Sequence, residues 1–295
     1  MPNTNLLDPA FMRKLEKLTL VARKVYHGQL HGERRTTRRG HSVEFADFRE
    51  YAAGDDLRYV DWKAFARLDK LFLKLFRAEE DLTVHFLVDV SKSMSFGAPM
   101  TKVEYAVRVC AALGYIGLNE YDRITVTTFN DELHARLPGL RGRTSVPSFF
   151  RYLERLSEGG GRTDFATALR LYAERETTAG LAVVCSDFFD ANVRSGIHAL
   201  LARRFQVVLI QILDPDEVTP SIAGDVRLVD AETGDHLQLS VSPYTLGEYQ
   251  RRFDEFVGEL ELLASRHGME YVRVTTETPF EDTVLKYLYS GGLVR

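Results

Sequence analysis

The sequence contains little cysteine and no long apolar run. Its 295 residues include 2 cysteines, Cys110 and Cys185, and both lie within apolar stretches, where a cysteine usually serves as a small core residue. This low content argues against a disulfide-stabilised secreted scaffold and fits a reducing compartment. No stretch approaches the roughly 18 consecutive apolar residues of a membrane span, and the first residues lack the basic and apolar regions of a secretory leader. We therefore expect a soluble, cytoplasmic protein.

The chain also lacks an excess of charge of either sign. Its 38 lysines and arginines are balanced by 42 acidic residues, which gives no reason to expect nucleic acid as the main partner. Residues 11–40 are nevertheless basic. They form either a solvated surface or a docking surface for an acidic protein or RNA, although the segment lacks the aromatic interleaving that base stacking requires. The candidate partner-binding residues of this segment are Arg34, Arg35, Arg38 and Arg39.

From residue 81 onward, the sequence alternates between strand-length apolar runs and helix-like patterns. The runs are short and continuous, as in strands that are buried on both faces. Val103, Ala106 and Cys110 illustrate the other pattern, because their spacing places them on one face of an amphipathic helix. The alternation predicts strands at 82–88, 123–129, 181–185, 206–213 and 271–274, and helices near 102–118, 146–156, 165–175, 192–203, 245–267 and 280–289.

These elements predict an α/β fold of three layers, in which a mostly parallel sheet carries helices on both faces. Prolines and glycines interrupt the alternation at residues 214–243, and two short strands around Thr233-Gly234-Asp235 predict a small β-hairpin insertion there. We expect residues 1–80 to form an N-terminal extension packed on the core, and residues 81–295 to form the α/β domain.

The segment TVHFLVDVSKSMS places a carboxylate, Asp89, at the end of a buried strand. A buried carboxylate is costly unless a positive group meets it. The strand that ends at Cys185 likewise runs into Asp187, and a glycine-rich loop leads to Thr163. Ligands of an open parallel sheet bind beyond the carboxyl ends of its strands, so we expect these three loops to converge.

Only oxygen atoms would meet there, namely the carboxylates of Asp89 and Asp187 and the hydroxyls of Ser91, Ser93 and Thr163. Without histidine or cysteine, this set favours a hard cation over zinc or copper. The predicted ion is Mg²⁺, with Mn²⁺ or Ca²⁺ as alternatives. A structural interpretation stays open, in which a serine only caps the following helix and backbone donors satisfy Asp89.

In the order DVSKS, GGGRTD and SDFFD, these motifs resemble the metal-ion-dependent adhesion site (MIDAS) of von Willebrand factor A domains. The resemblance covers about residues 81–213. It implies a Rossmann-like fold, the five ligands just named, and a coordination position that is kept for a carboxylate of a partner protein. It therefore implies protein binding and no catalysis. Arg162 departs from the family pattern, which often has Gly-Gly-Thr at this point.

The segment before the first strand, RRGHSVEFADFREYAAGDDLRYVDWKAFARLDKLFLKLFRAEED, resembles the hallmark region of DUF58 proteins. Its charged residues can form alternating ion pairs, which Trp62, the only tryptophan, would anchor to the core. This network is either purely structural or a recognition surface next to the metal. Its members are Arg49, Asp55, Asp56, Arg58, Asp61, Trp62 and Arg67.

The DUF58 resemblance also implies a partner, because these proteins accompany MoxR-type AAA+ ATPases in chaperone-like assembly or activation of other proteins. Together the motifs predict a metal-dependent adaptor that binds a MoxR-type ATPase and an unidentified client protein. The enzyme alternative is a metal-dependent phosphatase or nuclease that uses Asp89, Asp187 and Asp164. No nucleophile–base pair, phosphate-binding loop or dinucleotide fingerprint is recognisable in the sequence.

Overall fold

The computed structural model of this chain describes residues 6–18, 43–51, 60–68, 70–78, 82–156, 163–229 and 235–287. The chain divides into two compact units. Residues 26–81 form the smaller unit, and residues 1–25 together with 82–295 form the larger unit. The predicted domain boundary near residue 80 coincides with the second division. The first residues, which were predicted to belong to the extension, are instead part of the larger unit.

The described residues of the two units form the following strands and helices. The strands are β1 (Val43–Glu50), β2 (Phe72–Ala78), β3 (Thr83–Asp89), β4 (Arg123–Phe129), β5 (Leu133–Leu140), β6 (Leu181–Ser186), β7 (Gln206–Leu213), β8 (Gly224–Val229), β9 (His236–Val241) and β10 (Glu270–Thr275). The helices are α1 (Pro9–Leu15), α2 (Trp62–Leu68), α3 (Lys102–Asn119), α4 (Val146–Leu153), α5 (Phe165–Arg175), α6 (Val193–Ala202), α7 (Pro215–Val218), α8 (Pro243–His267) and α9 (Phe280–Asp282).

Six of these strands form one sheet in the order β10-β7-β6-β3-β4-β5. All neighbours are parallel except β5, which runs antiparallel to β4. The chain passes from β3 to β4 on one side and later returns to β6 on the other side of β3. The strand order therefore reverses between β3 and β6, and a crevice between the carboxyl ends of two such strands is the usual ligand site of an open α/β sheet.

Apolar cores lie on both faces of this sheet, and β3 contributes to both. Val84, Phe86 and Val88 belong to one core, which also contains residues of α1 and α3, whereas Leu87 belongs to the other, which contains residues of α5 and α6. All residues of β3 are buried. This burial on two faces explains the continuous apolar run, and it confirms the predicted mostly parallel sheet flanked by helices.

A capping box fixes the start of α3 directly after the loop that follows β3. The hydroxyl of Thr101 accepts a hydrogen bond from the backbone N–H of Glu104 (3.2 Å), and the Glu104 carboxylate accepts one from the N–H of Thr101 (2.9 Å). Lys102 is thereby held at the first position of the helix, where its side chain is completely buried.

Two segments differ from their predicted form. The predicted closing helix at 280–289 begins as α9 and continues as a π-helical turn at Thr283–Tyr287, where the described residues end. The two short strands predicted on either side of residues 233–235 have six residues each, as β8 and β9. They form an antiparallel pair outside the central sheet.

The smaller unit contains α2 and an antiparallel pair of strands, β1 and β2. Asp61 is 9% exposed and accepts a hydrogen bond from the backbone N–H of Ala64 (3.1 Å), so it caps α2. The prediction that Trp62 anchors a charged network in the core is wrong, because its side chain is 59% exposed and its ring contacts Phe65. Arg67 is also exposed. Asp55, Asp56, Arg58 and the side chain of Arg49 lie outside the described residues, as do Arg34, Arg35, Arg38 and Arg39.

His85, in the centre of β3, predicts a pH-dependent stability. Its Nδ1 lies 2.7 Å from the Tyr172 hydroxyl, and burial, followed by the charges of Arg136 and Arg123, lowers its pKa from 6.5 to about 4. Between pH 4 and pH 6.5, His85 is therefore neutral in the folded protein but protonated in the unfolded chain. Its contribution to stability is complete above pH 6.5 and is lost as the pH falls to 4, which amounts to roughly 3 kcal/mol.

Urea unfolding of the wild type and of His85→Phe, at pH 7 and pH 4 in EDTA, measures this contribution. The ring centres of His85 and Phe205 are 5.1 Å apart, and a phenylalanine at position 85 retains an aromatic ring in this contact. We expect the wild type to lose roughly 3 kcal/mol more than the variant between the two pH values. Equal losses would exclude His85 as the cause.

Candidate metal centre

A small pocket opens at the reversal point between β3 and β6. Its volume is about 10 Å³, close to the lower limit for a single water molecule, and this is enough room for an ion. Its lining residues lie at or just after the ends of β3 and β6, or at the start of α5. They are Asp89, Ser93, Thr163, Phe165, Ser186, Asp187, Phe189 and Asp190.

Asp89 is the last residue of β3 and is 1% exposed. One carboxylate oxygen accepts the N–H of Ser91 (2.9 Å), and the other accepts the hydroxyl of Ser186 (2.7 Å). Burial, and then the charge of Asp187, raises the pKa of Asp89 to about 7 against these hydrogen bonds. Within the described part of the chain, no lysine or arginine forms an ion pair with Asp89. Among the described residues, the hydrogen-bonding partners of this carboxylate are therefore two neutral donors.

The predicted hydroxyl ligands lie beside this carboxylate. Ser93 and Thr163 line the pocket, and the Ser93 hydroxyl lies 3.1 Å from that of Ser91, which is fully buried. Lys92, between the two serines, is exposed. The two hydroxyls therefore lie together, whereas the lysine between them is exposed to solvent.

Asp187, unlike Asp89, has a cation in contact. The ammonium of Lys102 lies 2.8 Å from Asp187 Oδ2 and 2.6 Å from Glu217 Oε1, while Asp187 Oδ1 accepts the N–H of Phe189 (3.0 Å). Burial lowers the pKa of Lys102, but the charges of Asp187 and Glu217 more than offset this, so the pKa is raised. Lys102 is therefore charged at neutral pH.

The turn after β6 is strained where it enters the pocket. Phe188 has a φ of 62°, a left-handed conformation that costs a bulky residue on the order of 1 kcal/mol or more. Its N–H donates to the Ser186 hydroxyl (2.9 Å), and its ring packs fully buried against Phe165. These contacts hold the turn that presents Asp187 to the pocket and leaves the Phe189 side chain 46% exposed.

Sequence reasoning did not identify several residues of this site. Lys102 gave a signal, because it continues the apolar stripe of Ala106 and Cys110 at helical spacing, and a lysine on such a stripe needs a buried anion. Ser186 and Asp190 stand within the motif SDFFD, but their partners are distant in sequence: Asp190 accepts the N–H of Phe165 (3.2 Å). Neither Glu217 nor Phe189 gave a signal of its own.

The donor set fits a hard divalent cation. All polar atoms that the pocket presents are carboxylate, hydroxyl or backbone groups, and the lining includes no histidine or cysteine. No group of three or more His, Cys, Asp or Glu suitable for a metal is found among the described residues, but the predicted site has two carboxylates and draws its other ligands from hydroxyls. When bound, such an ion would supply the positive charge that Asp89 lacks, and Asp89, Ser91, Ser93, Thr163 and Asp187 would hold it.

Comparison with known families gives one decisive match. The model described as "Protein of unknown function DUF58" matches residues 47–255, which is more than half of the chain. The chain belongs to the DUF58 family. The match spans both units and includes Asp89, Thr163 and Asp187.

Relatives of this DUF58 protein are uncharacterized. A protein of Mycobacterium tuberculosis, Rv1480, is 30% identical over 248 residues, which cover 83% of this chain and 78% of that protein. A protein of Mycobacterium bovis gives the same values. Among solved structures, the conserved hypothetical protein BatB from Bacteroides thetaiotaomicron aligns over 71% of this chain and 98% of that chain, with 16% identity and a TM-score of 0.44. An aerotolerance-related membrane protein from Bacteroides fragilis aligns over 71% and 99%, with 17% identity and a TM-score of 0.44.

These structural likenesses are too distant to carry information on function. Among the helices that the structure describes, none has both the length and the apolar character required to span a membrane.

Proposed function

We propose that this DUF58 protein is a metal-dependent protein-binding adaptor, whose pocket between β3 and β6 holds Mg²⁺ and meets a carboxylate of a partner protein. The resemblance to MIDAS motifs and to DUF58 proteins gives the partner class, a MoxR-type AAA+ ATPase acting with the adaptor on a client protein. The observation that carries the proposal is the all-oxygen pocket of ionic size, in which Asp89 forms no ion pair with any described residue and Phe189 is partly exposed at the rim.

The size and charge of the pocket support binding over catalysis. A volume of about 10 Å³ admits an ion, so a partner would approach from outside and contribute one ligand at the mouth. Mg²⁺ prefers hard anionic oxygen, and a carboxylate from the partner would supply it. An exposed aromatic ring beside such a contact provides apolar area of the kind that is enriched at protein interfaces.

The enzyme alternative requires a further acid at the metal. Asp164, the candidate for that role, accepts the N–H of Thr167 (2.9 Å) as the N-cap of α5 and does not line the pocket. Asp190 does line the pocket, but its two oxygens accept the backbone N–H groups of Phe165 (3.2 Å) and Asn192 (2.6 Å). We therefore expect no multiple-turnover hydrolysis of phosphate esters or nucleic acids with Mg²⁺ or Mn²⁺. Turnover that disappears in both Asp89→Ala and Asp187→Ala would replace the binding proposal.

The test is the association of the full chain with the MoxR-type ATPase of its own cell, measured with Mg²⁺, with EDTA, and after Mg²⁺ is added back. We expect EDTA to weaken association at least tenfold and Mg²⁺ to restore it. Asp89→Ala should abolish association, Ser93→Ala should weaken it modestly by loosening the coordination shell, and the exposed Lys92→Ala serves as the matched control.

A salt series at fixed Mg²⁺ separates this mechanism from simple charge attraction. Arg34, Arg35, Arg38 and Arg39 could attract an acidic partner without a metal, and screening over about 8 Å at physiological ionic strength would weaken such exposed contacts more than a metal bridge. Association that fades with salt but ignores EDTA would overturn the proposal and move the interface to the basic segment.

A further inference from the structure

Lys102 is a charged side chain with no access to solvent. Its ammonium contacts Asp187 and Glu217 at 2.8 and 2.6 Å and lies 5.8 Å from the centre of the Phe189 ring, which covers it. Because Asp187 lines the pocket, this ammonium is separated from a bound ion by one carboxylate group. Charges so close together and so well shielded from water interact more strongly than exposed charges do.

Glu217 balances this ammonium from the other side. It lies in α7, where its second oxygen accepts the N–H of Asp214 (2.8 Å) in a capping box, and its side chain is 20% exposed. Glu217 thus has a fixed position and contacts Lys102 without lining the pocket. The ion pair of Lys102 and Glu217 therefore determines how strongly the Lys102 ammonium would repel a cation bound at Asp187.

We propose that Lys102 and Glu217 are the residues that set the cation affinity of the pocket: Lys102 lowers the affinity for Mg²⁺ by repulsion, and Glu217 raises it by neutralising Lys102. The inference rests on the proposed function, since it assumes that Mg²⁺ binds beside Asp187. A pocket weakened in this way gains much from an additional anionic ligand. Cation and partner carboxylate therefore bind cooperatively, each raising the affinity for the other by the same factor.

Titration calorimetry with MgCl₂ on the full chain tests the inference through two variants with opposite expected effects. Lys102→Met retains a long apolar side chain and removes the repulsion, so we expect Mg²⁺ to bind at least tenfold more tightly. Glu217→Gln leaves Lys102 less neutralised, so we expect binding to weaken about tenfold. Lys92→Met, on the exposed side of the serine loop, should remain within about twofold of the wild type.

A purely structural role for Lys102 and Glu217 predicts weaker binding in both variants, because both would loosen the pocket. Binding in Lys102→Met that is equal to or weaker than in a Mg²⁺-binding wild type overturns the inference and leaves the proposed function intact. If Lys102→Met does not fold, Glu217→Gln decides alone, and an affinity equal to or above that of the wild type overturns the inference. If neither the wild type nor any variant binds Mg²⁺, both the inference and the proposed function are overturned.

Discussion

Replacing Asp187 by asparagine is expected to lower the free energy of unfolding by about 3 kcal/mol in EDTA, whereas the same change at Asp89 is expected to alter it by less than about 1 kcal/mol. The reason is Lys102. Its ammonium has 0% side-chain exposure and is neutralised by Asp187 and Glu217, so that loss of the Asp187 charge leaves part of a buried charge uncompensated.

Asp89 is in the opposite situation. Its carboxylate is repelled by Asp187 and is held by a backbone N–H and a hydroxyl, both of which asparagine can satisfy with its oxygen and amide group. Urea unfolding of the two variants beside the wild type, at one pH near 7, measures the difference. Equal losses, or a larger loss at Asp89, would contradict the assignment of Lys102 as a partner of Asp187 and not of Asp89.

Asp89 is expected to be essential for Mg²⁺ binding, although its replacement by asparagine is expected to change the stability of the metal-free protein little. Asp89→Ala should weaken Mg²⁺ binding at least 100-fold, because the two carboxylates that remain in the pocket already have partners. Asp187 pairs with Lys102, and the oxygens of Asp190 accept the N–H groups of Phe165 and Asn192. Titration calorimetry at pH 7.5 measures the affinity, and Lys92→Ala is the control because Lys92 lies exposed in the same loop. Mg²⁺ affinity unchanged in Asp89→Ala would remove Asp89 from the site.

The two changes together separate the roles of the carboxylates. Asp187 is expected to matter for the stability of the metal-free fold, whereas Asp89 is expected to matter for the ion. If Asp89→Asn lost as much stability as Asp187→Asn, and Asp89→Ala retained its Mg²⁺ affinity, Asp89 would be a structural residue satisfied by backbone donors, the alternative that the sequence left open.

The central sheet could be predicted because β3, β6 and β7 are short, nearly continuous apolar runs. The predicted strand at 206–213 has the observed limits, and the one at 181–185 differs by a single residue. Convergence of the site could be predicted for a related reason, since parallel strands bring their carboxyl ends to one edge. This geometry is sufficient to predict that Asp89, Ser93, Thr163 and Asp187 lie near one another, and all four line the pocket.

The remaining features depend on contacts between distant residues. Lys102 and Asp187 are 85 residues apart, and no local pattern links them. The sequence analysis predicted a positively charged partner for Asp89. In the structure, the buried Lys102 pairs with Asp187 instead. The prediction that Trp62 lies in the core is wrong because a large apolar side chain is not necessarily buried. The side chain of Trp62 is 59% exposed.

The most direct test of the account is a crystal structure of the full chain grown with Mn²⁺, with diffraction recorded at the manganese absorption edge. The account predicts one anomalous peak between the carboxyl ends of β3 and β6, within bonding distance of the Ser91 and Ser93 hydroxyls and adjacent to Asp89 and Asp187. The peak should disappear in crystals of Asp89→Ala. A Mn²⁺-saturated crystal without a peak at this position, or with its only peak elsewhere, would contradict the assignment of the pocket as a metal site.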